Sequence, residues 1–300
     1  MTNIENKKFN FKSGITHSGV FHADEIFATA MLRKIDPDFS VTRTFKVADP
    51  VDENILVYDI GGGKFDHHQK GGNGSRENGI PFASFGLLWK EFGALIVADE
   101  RVRNLIDRDL VAVIDAFDNG YAKVESNLPA GCLPVSSLIS GFNPTWDSEK
   151  SSDEAFEDAL QIASVILDNT IKSSEAKIKA SSIVEEAIAA SKNIGSGKVI
   201  YLPRVVPWQE AVISSISAAD MLYVVYPTLR RDWACQAIPD ALGSFGKRKE
   251  LPKAWGGAPV EELRRLTGVE DAIFCHPGLF MCSASSKEGA AALAELAVSA

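Results

Sequence analysis

The stretch from about Asp153 to Ser191 is poor in glycine and proline and rich in Ala, Glu, Ile and Lys, a composition that predicts one or two long helices. A segment of that length in the middle of a 300-residue chain divides it into two halves and bridges them. Chains of this size usually split into units of roughly 100 to 200 residues. The boundary is expected near 190–197, where NIGSGK at 193–198 brings in turn residues. The expected organisation is therefore residues 1–192, including the linking helices, and a smaller unit over 193–300.

Both halves alternate strand-like and helix-like signals, which predicts an α/β architecture in each. GIT at 14–16 ends a strand, Asp24 to Lys34 reads as an amphipathic helix with acids in its first turn, and VTRTF at 41–45 alternates as a strand does. ILVYDI at 55–60 is a short β-rich run that stops at three glycines. Helices follow from Ser84 and from Glu100 to Phe117, where Asn119-Gly120 supplies the stop. After residue 198 the strands expected are 199–203, 221–227, 233–238 and 272–277, with helices near 208–217, 259–267 and 286–299.

Composition sets limits. With 45% apolar and 24% charged residues the chain is an ordinary globular protein, and no run of about 18 apolar residues predicts a membrane span. The N-terminal MTNIENKKFNFK has no apolar signal core, and Cys132, Cys235, Cys275 and Cys282 show neither CxxC spacing nor a disulfide framework. Reduced thiols in a cytoplasmic protein are the expectation. The net charge of −9 argues against a protein that simply coats nucleic acid. Between Arg230 and Arg265, however, eight basic residues stand against five acidic ones, which fits an enzyme for a phosphate-bearing substrate.

Of five histidines, His17, His22, His67 and His68 fall within one 52-residue stretch, each with an Asp within seven residues. The groups are His17, His22 and Asp24; the isolated Asp59 after a β-run; Asp66-His67-His68; and Asp115 with Asp118. Singly, each has a plain structural explanation: Asp24 as an early-turn helix acid, Asp59 as the start of a glycine turn, Asp118 as part of a helix-ending turn. Together they collect at the ends of elements, where loops of an α/β sheet converge. Asp115 and Asp118, three apart on a helix end, can face the same point. Imidazoles and carboxylates without thiolate suit manganese, iron, cobalt or magnesium better than a closed structural zinc site. So many carboxylates would repel one another unless cations neutralised them, which favours two divalent ions over one. GGGK at 61–64 lacks the spacing and ending of a P-loop.

THSGVFHADE, YDIGG, FDHHQ and VIDAFDNG resemble the motifs of the DHH phosphoesterase superfamily, and most closely its melanocyte-proliferating-gene branch of metal-dependent hydrolases. The similarity continues through FGKRKELPKAWGG, the segment from Glu261 to Gly268, AIFCHPGLF and SSKEGA, so it covers nearly the whole chain. The resemblance implies a DHH-type parallel-sheet catalytic domain, a smaller C-terminal α/β domain that closes over substrate, and two divalent ions, typically Mn2+, in the first. It implies His17, His22, Asp24, Asp59, Asp66, His67 and Asp118 as ligands, with Asp115 the alternative to Asp118. His68 is either ligand or substrate contact, and Asp59 the bridging carboxylate. His22 and Asp24 follow His17 by five and seven residues, where the commoner superfamily pattern has four and six. Arg248 and His276 resemble its phosphate-binding motifs, a task for which the arginine fork is suited.

The function so implied is hydrolysis of phosphodiester bonds by two-metal-activated hydroxide, as a 3′–5′ RNA exonuclease acting on single-stranded RNA or short oligonucleotides. Two other readings stay open: a small-molecule phosphatase for nucleotides, short oligonucleotides or pyrophosphate, and a non-catalytic metal-stabilised binding protein. No membrane partner is expected, and a homodimer is allowed.

Overall fold

The computed structural model describes residues 9–122 and 133–300. Cys132 and the first eight residues, both read above, lie outside the described residues. The chain forms two compact units, Met1–Glu175 and Ala176–Ala300. Among the described residues no helix is long and apolar enough to cross a membrane.

The first unit is built on three parallel strands in the order β2-β1-β3: β1 (Ser13–His17), β2 (Ser40–Thr44) and β3 (Ile55–Val57). Because all three run the same way, their carboxyl ends share one edge, and that edge is where ligands gather in such sheets. The helix α1 (Ala23–Ile35) follows β1, and α2 (Ser84–Phe92) packs beside it. Phe21, Phe27, Phe39, Tyr58 and Phe85 fill the core. The Tyr58 hydroxyl lies 2.6 Å from Thr29 Oγ1, which meets the polar end of an otherwise apolar burial. β1 runs so close to this core that a Cβ on Gly14 would stand 2.9 Å from the Phe39 ring.

The helical run expected over 100–117 is one continuous rod of α3 (Glu100–Ile106), a π-helical turn over Asp107–Val111, and α4 (Ala112–Asp118). A π turn inserts one extra residue into the helix and so re-aims everything after it; here that includes Asp115 and Asp118. A short helix that the sequence reading lacked, α5 (Val135–Ser140), follows. The long segment is a single 40-residue helix, α6 (Ser152–Ser191). Within the first unit, Ala155, Phe156, Ala159, Ala163 and Leu167 form its buried stripe. Arg33 and Arg43 pair with its Glu157 and Asp153.

The second unit is a mixed five-stranded sheet in the order β4-β5-β6-β8-β7. Its strands are β4 (Val199–Tyr201), β5 (Tyr223–Pro227), β6 (Trp233–Ala237), β7 (Ala272–Cys275) and β8 (Met281–Ala284). Only β4 and β5 are parallel; the rest pair antiparallel. Alternate residues face opposite layers, as strand geometry requires. Val199, Tyr223 and Val225 pack with Leu293 and Ala297 of α9 (Lys287–Ser299). Ile200 and Val224 pack with Val184 and Ile188 of α6. Two shorter helices, α7 (Gln209–Ser214) and α8 (Val260–Thr267), lie within the expected ranges. β8 had not been foreseen. Cys235, Cys275 and Cys282 are free and buried in this unit.

Candidate metal centre

At the carboxyl edge of the parallel sheet, β1 ends on His17, and the loop beyond it delivers His22 to the N-cap of α1. Asp24 and Glu25 occupy the first turn of that helix, where its dipole favours negative charge. Asp59 lies two residues beyond β3, at φ 57°, a left-handed conformation that Asp tolerates better than most side chains. The loop from Phe65 returns under it, with the Asp59 N–H donating to the Phe65 carbonyl at 3.0 Å, and this presents Asp66, His67 and His68. Asp118 closes α4.

Three groups of possible ligands form among the described residues: Asp59, Asp66, His67 and His68; His17, His22 and Glu25; and Asp24, His67 and Asp118. The groups interlock. His17 Nε2 lies 2.9 Å from Glu25 Oε1 and 3.3 Å from Asp59 Oδ2. The other oxygen of Asp59, Oδ1, is 3.4 Å from His67 Nδ1 and 3.5 Å from His68 Nδ1. His67 reaches on to Asp118, its Nε2 2.9 Å from Oδ2, and the two adjacent imidazoles stack loosely with centroids 4.2 Å apart. Adjacent residues in a strand point to opposite faces, so only the loop lets His67 and His68 share a side.

Asp24, Glu25, Asp59 and Asp66 are all essentially buried. Burial, followed by repulsion from Asp59, Asp118 and Asp115, pushes the Asp24 carboxyl well above the usual carboxylate range. Burial pulls the His17 imidazole down, but hydrogen bonds to Asp59 and Glu25 outweigh it and raise its pKa to about 10. His67 is raised as well: burial opposes its charge, and the hydrogen bond to Asp118 and the field of Asp59 overcome that. Asp66 is held low, because hydrogen bonds from His68 and from the Gly62 N–H outweigh its burial. Glu25 Oε2 is buried without a hydrogen-bond partner among the described residues. A nest of buried carboxylates with an orphaned oxygen and imidazoles at its rim, and with no thiolate among the described residues, fits divalent cations, which would replace the protons that otherwise hold the charges apart.

The structure separates the two aspartates of the last motif. Asp118 joins His67 and Asp24, whereas Asp115 belongs to none of the three groups. Asp115 instead stands 2.7 Å from Arg76 Nη1 and accepts the Gly86 N–H. Arg76 also binds Asp107 of the π turn. Even beside Arg76, burial raises the Asp115 pKa to about 7. Sequence reasoning missed Glu25, Ser84 and Arg76. Ser84, the first residue of α2, donates from Oγ to Asp59 Oδ1 at 3.1 Å, and its N–H and that of Phe85 both donate to Asp24. The amino end of α2 thus anchors one predicted ligand and orients another.

An open pocket of about 630 Å3 adjoins the cluster, lined by His22, His67, His68, Asp118 and Asn119 together with Ser136, Ser137 and Ser140. Arg248 and His276 lie in the second unit. Arg248 is half-buried, and its Nη1 donates to the Ala218 and Met221 carbonyls. His276 Nδ1 accepts the Gly278 N–H at 2.9 Å, and its ring packs on Phe280. Several cations of the 230–265 stretch are engaged locally: Lys247 with Glu250, Arg264 with Glu261 and Arg265 with Glu262.

A profile of the family described as "Uncharacterised protein family (UPF0160)", labelled MYG1_exonuc, matches residues 14–298. The chain is 30% identical to a MYG1 protein of Saccharomyces cerevisiae, with 99% of this chain and 100% of the relative aligned. It is 28% identical to the MYG1 exonuclease of Homo sapiens over 93% of this chain and 84% of that one. For the MYG1 exonuclease of Bos taurus the identity is 29%, over 93% and 82%. No solved structure matches.

Proposed function

Since the chain belongs to the family described as "Uncharacterised protein family (UPF0160)", and its relatives in Homo sapiens and Bos taurus carry the name MYG1 exonuclease, we propose that it is a metal-dependent phosphodiesterase of the DHH type that degrades RNA from 3′ to 5′. One observation carries this reading: Asp59 turns one oxygen to His17 and the other to His67 and His68. A carboxylate between two imidazole groups is what a pair of ions sharing one bridging ligand needs. Bound there, two divalent ions, manganese by preference, would supply Lewis acidity and lower the pKa of water for in-line attack on phosphorus.

The chain's own residues do the rest. His17, His22 and Glu25 would hold one side of the pair, and Asp24, His67 and Asp118 the other, with Asp59 between. Asp66 fixes His68, its Oδ1 lying 2.7 Å from Nδ1. That leaves His68 Nε2 to orient a phosphate oxygen or hand on a proton at the leaving group. His68 also stays solvent-exposed, as a group that meets substrate must. Arg248 and His276, in segments that resemble phosphate-binding motifs, are proposed as phosphate contacts. The buried free cysteines support action in a reducing cytoplasm.

The test is one panel: purified protein with manganese, assayed on single-stranded RNA, dinucleotides, a nucleoside bisphosphate and pyrophosphate. Hydrolysis of RNA that disappears in His67→Ala supports the exonuclease reading. Turnover confined to dinucleotides or mononucleotides replaces it with a small-molecule phosphatase. Binding of metal with no hydrolysis of any of the four leaves a metal-stabilised binding protein.

A further inference from the structure

Besides Ala23 and Phe117, the pocket beside the candidate metal centre is lined by two chemically unlike sets of residues. His22, His67, His68 and Asp118 belong to the ligand groups, while Ser136, Ser137 and Ser140 of α5 and the amide of Asn119 are neutral and polar. Neither lysine nor arginine is among the described residues that line it. A volume of about 630 Å3 suits one small ligand, so for a nucleic acid it holds a terminal residue.

α5 is held in place. Asn143, just past it, accepts the Phe21 N–H and donates to the carbonyls of Phe21 and Ser140, which ties the segment to the residue preceding His22. Ile139 is buried beneath the helix. The Ser136 hydroxyl, by contrast, is buried and has no hydrogen-bond partner among the described residues. A buried polar group without a partner is uncommon and calls for one. Because Ser136 also lines the pocket, a ligand bound there is the partner available to this hydroxyl.

The kind of partner follows from the charges. The phosphate of a substrate is answered by the imidazole and cation side of the pocket. A row of hydroxyls, each both donor and acceptor, matches neutral hydroxyls instead. In a nucleic acid these are the sugar hydroxyls, and the 2′-OH is what distinguishes RNA from DNA. We propose that Ser136, flanked by Ser137, hydrogen-bonds the ribose of the terminal nucleotide, which makes this serine-lined wall the determinant of ribose over deoxyribose. The inference rests on the phosphoesterase reading above and assigns the sugar specificity of that site.

The experiment is equilibrium titration of the manganese-loaded full-length protein with adenosine 5′-monophosphate and its 2′-deoxy counterpart. RNA hydrolysis is assayed in parallel. The wild type is expected to prefer the ribonucleotide by about tenfold, the scale of one net hydrogen bond. Ser136→Ala should bring that ratio close to one with metal content unchanged, and Ser136→Thr, which keeps the hydroxyl, should restore most of it. Equal affinity of the wild type for both nucleotides, no binding of either, or an unchanged ratio in Ser136→Ala overturns the inference. RNA hydrolysis without ribose preference overturns it while leaving the phosphoesterase reading in place. Ribose preference with no hydrolysis of any phosphoester overturns that reading and retains the sugar site.

Discussion

His17 Nε2 lies 3.3 Å from Asp59 Oδ2, while the other oxygen of the same carboxylate faces His67 and His68. Asp59 thereby faces both halves of the ligand nest, and its left-handed backbone sets that position.

Asp59→Asn tests this sharing cleanly, because Asn tolerates the left-handed region as well as Asp does. The fold should survive, with a circular dichroism spectrum like that of the wild type. Bound manganese, read by elemental analysis after metal-replete purification, should fall by at least one ion per chain. Turnover should drop by about two to three orders of magnitude, the cost of losing a preorganised electrostatic group. Full metal content in the variant would remove Asp59 from its bridging role.

Ser84 touches no expected metal position, yet its hydroxyl donates to Asp59 and lies 3.4 Å from His67 Nδ1. Groups of this kind orient ligands, and their loss typically costs about 10- to 100-fold in metal affinity or activity. Ser84→Ala should weaken manganese binding on that scale in a competition titration. Excess manganese should restore turnover, a rescue that a folding defect would not show.

How much of this was legible beforehand follows from what each residue reports at the level of pattern. The α/β alternation and the long helix were readable because short β-rich runs between helical periods and an uninterrupted run of helix formers survive any tertiary context, whereas the parallel sheet was implied by the family resemblance. α5 and β8 were not. VSSLIS is six residues with three serines, and MCSA is four residues without a β-branched side chain, so local propensity marks neither. The histidines and Asp24, Asp59, Asp66 and Asp118 declared themselves by residue type and crowding. Glu25 did not, since an acid in the first turn of a helix has a sufficient local reason. Asp115 and Asp118 looked equivalent until Arg76, 39 positions before Asp115, proved to be the partner of one and not the other. That pairing is tertiary and has no local signature.

Arg76 offers its guanidinium to buried Asp115 and to Asp107 at once. Arg76→Ala would leave Asp115 buried and unpaired, a defect that typically costs about 3–5 kcal/mol. Denaturant unfolding should show the loss. The pH dependence has a definite sign. Asp115 has a folded-state pKa of about 7, above the ordinary carboxylate value of 3.8. Its protonated form therefore favours the fold at low pH, and that contribution is lost as pH rises through about 7. Without Arg76 the folded pKa moves higher still, so the variant should lose further stability relative to wild type as pH rises above about 7, where Asp115 is ionised in the wild type and still protonated in the variant. A difference that stays constant above about pH 7 would mean that Asp115 is not the group left unpaired.

The protons in the nest give a second pH signature, one that metal should abolish. In the metal-free protein the His17 pKa is about 10 against an ordinary 6.5, raised by Asp59 and Glu25 despite burial. The stability this pairing contributes is complete below pH 6.5 and is lost as pH climbs through about 10. Asp24, raised by burial and by Asp59, acts in the same direction. A metal ligand must be a neutral imidazole or a carboxylate anion, so ion binding displaces these protons and strengthens as they leave. Chelator-treated protein should therefore melt at progressively lower temperature from pH 6.5 to 9.5, and the increment in melting temperature on adding manganese should grow over the same range. An increment that stays flat or shrinks with pH would place the added ions somewhere other than among His17, Asp24 and Asp59.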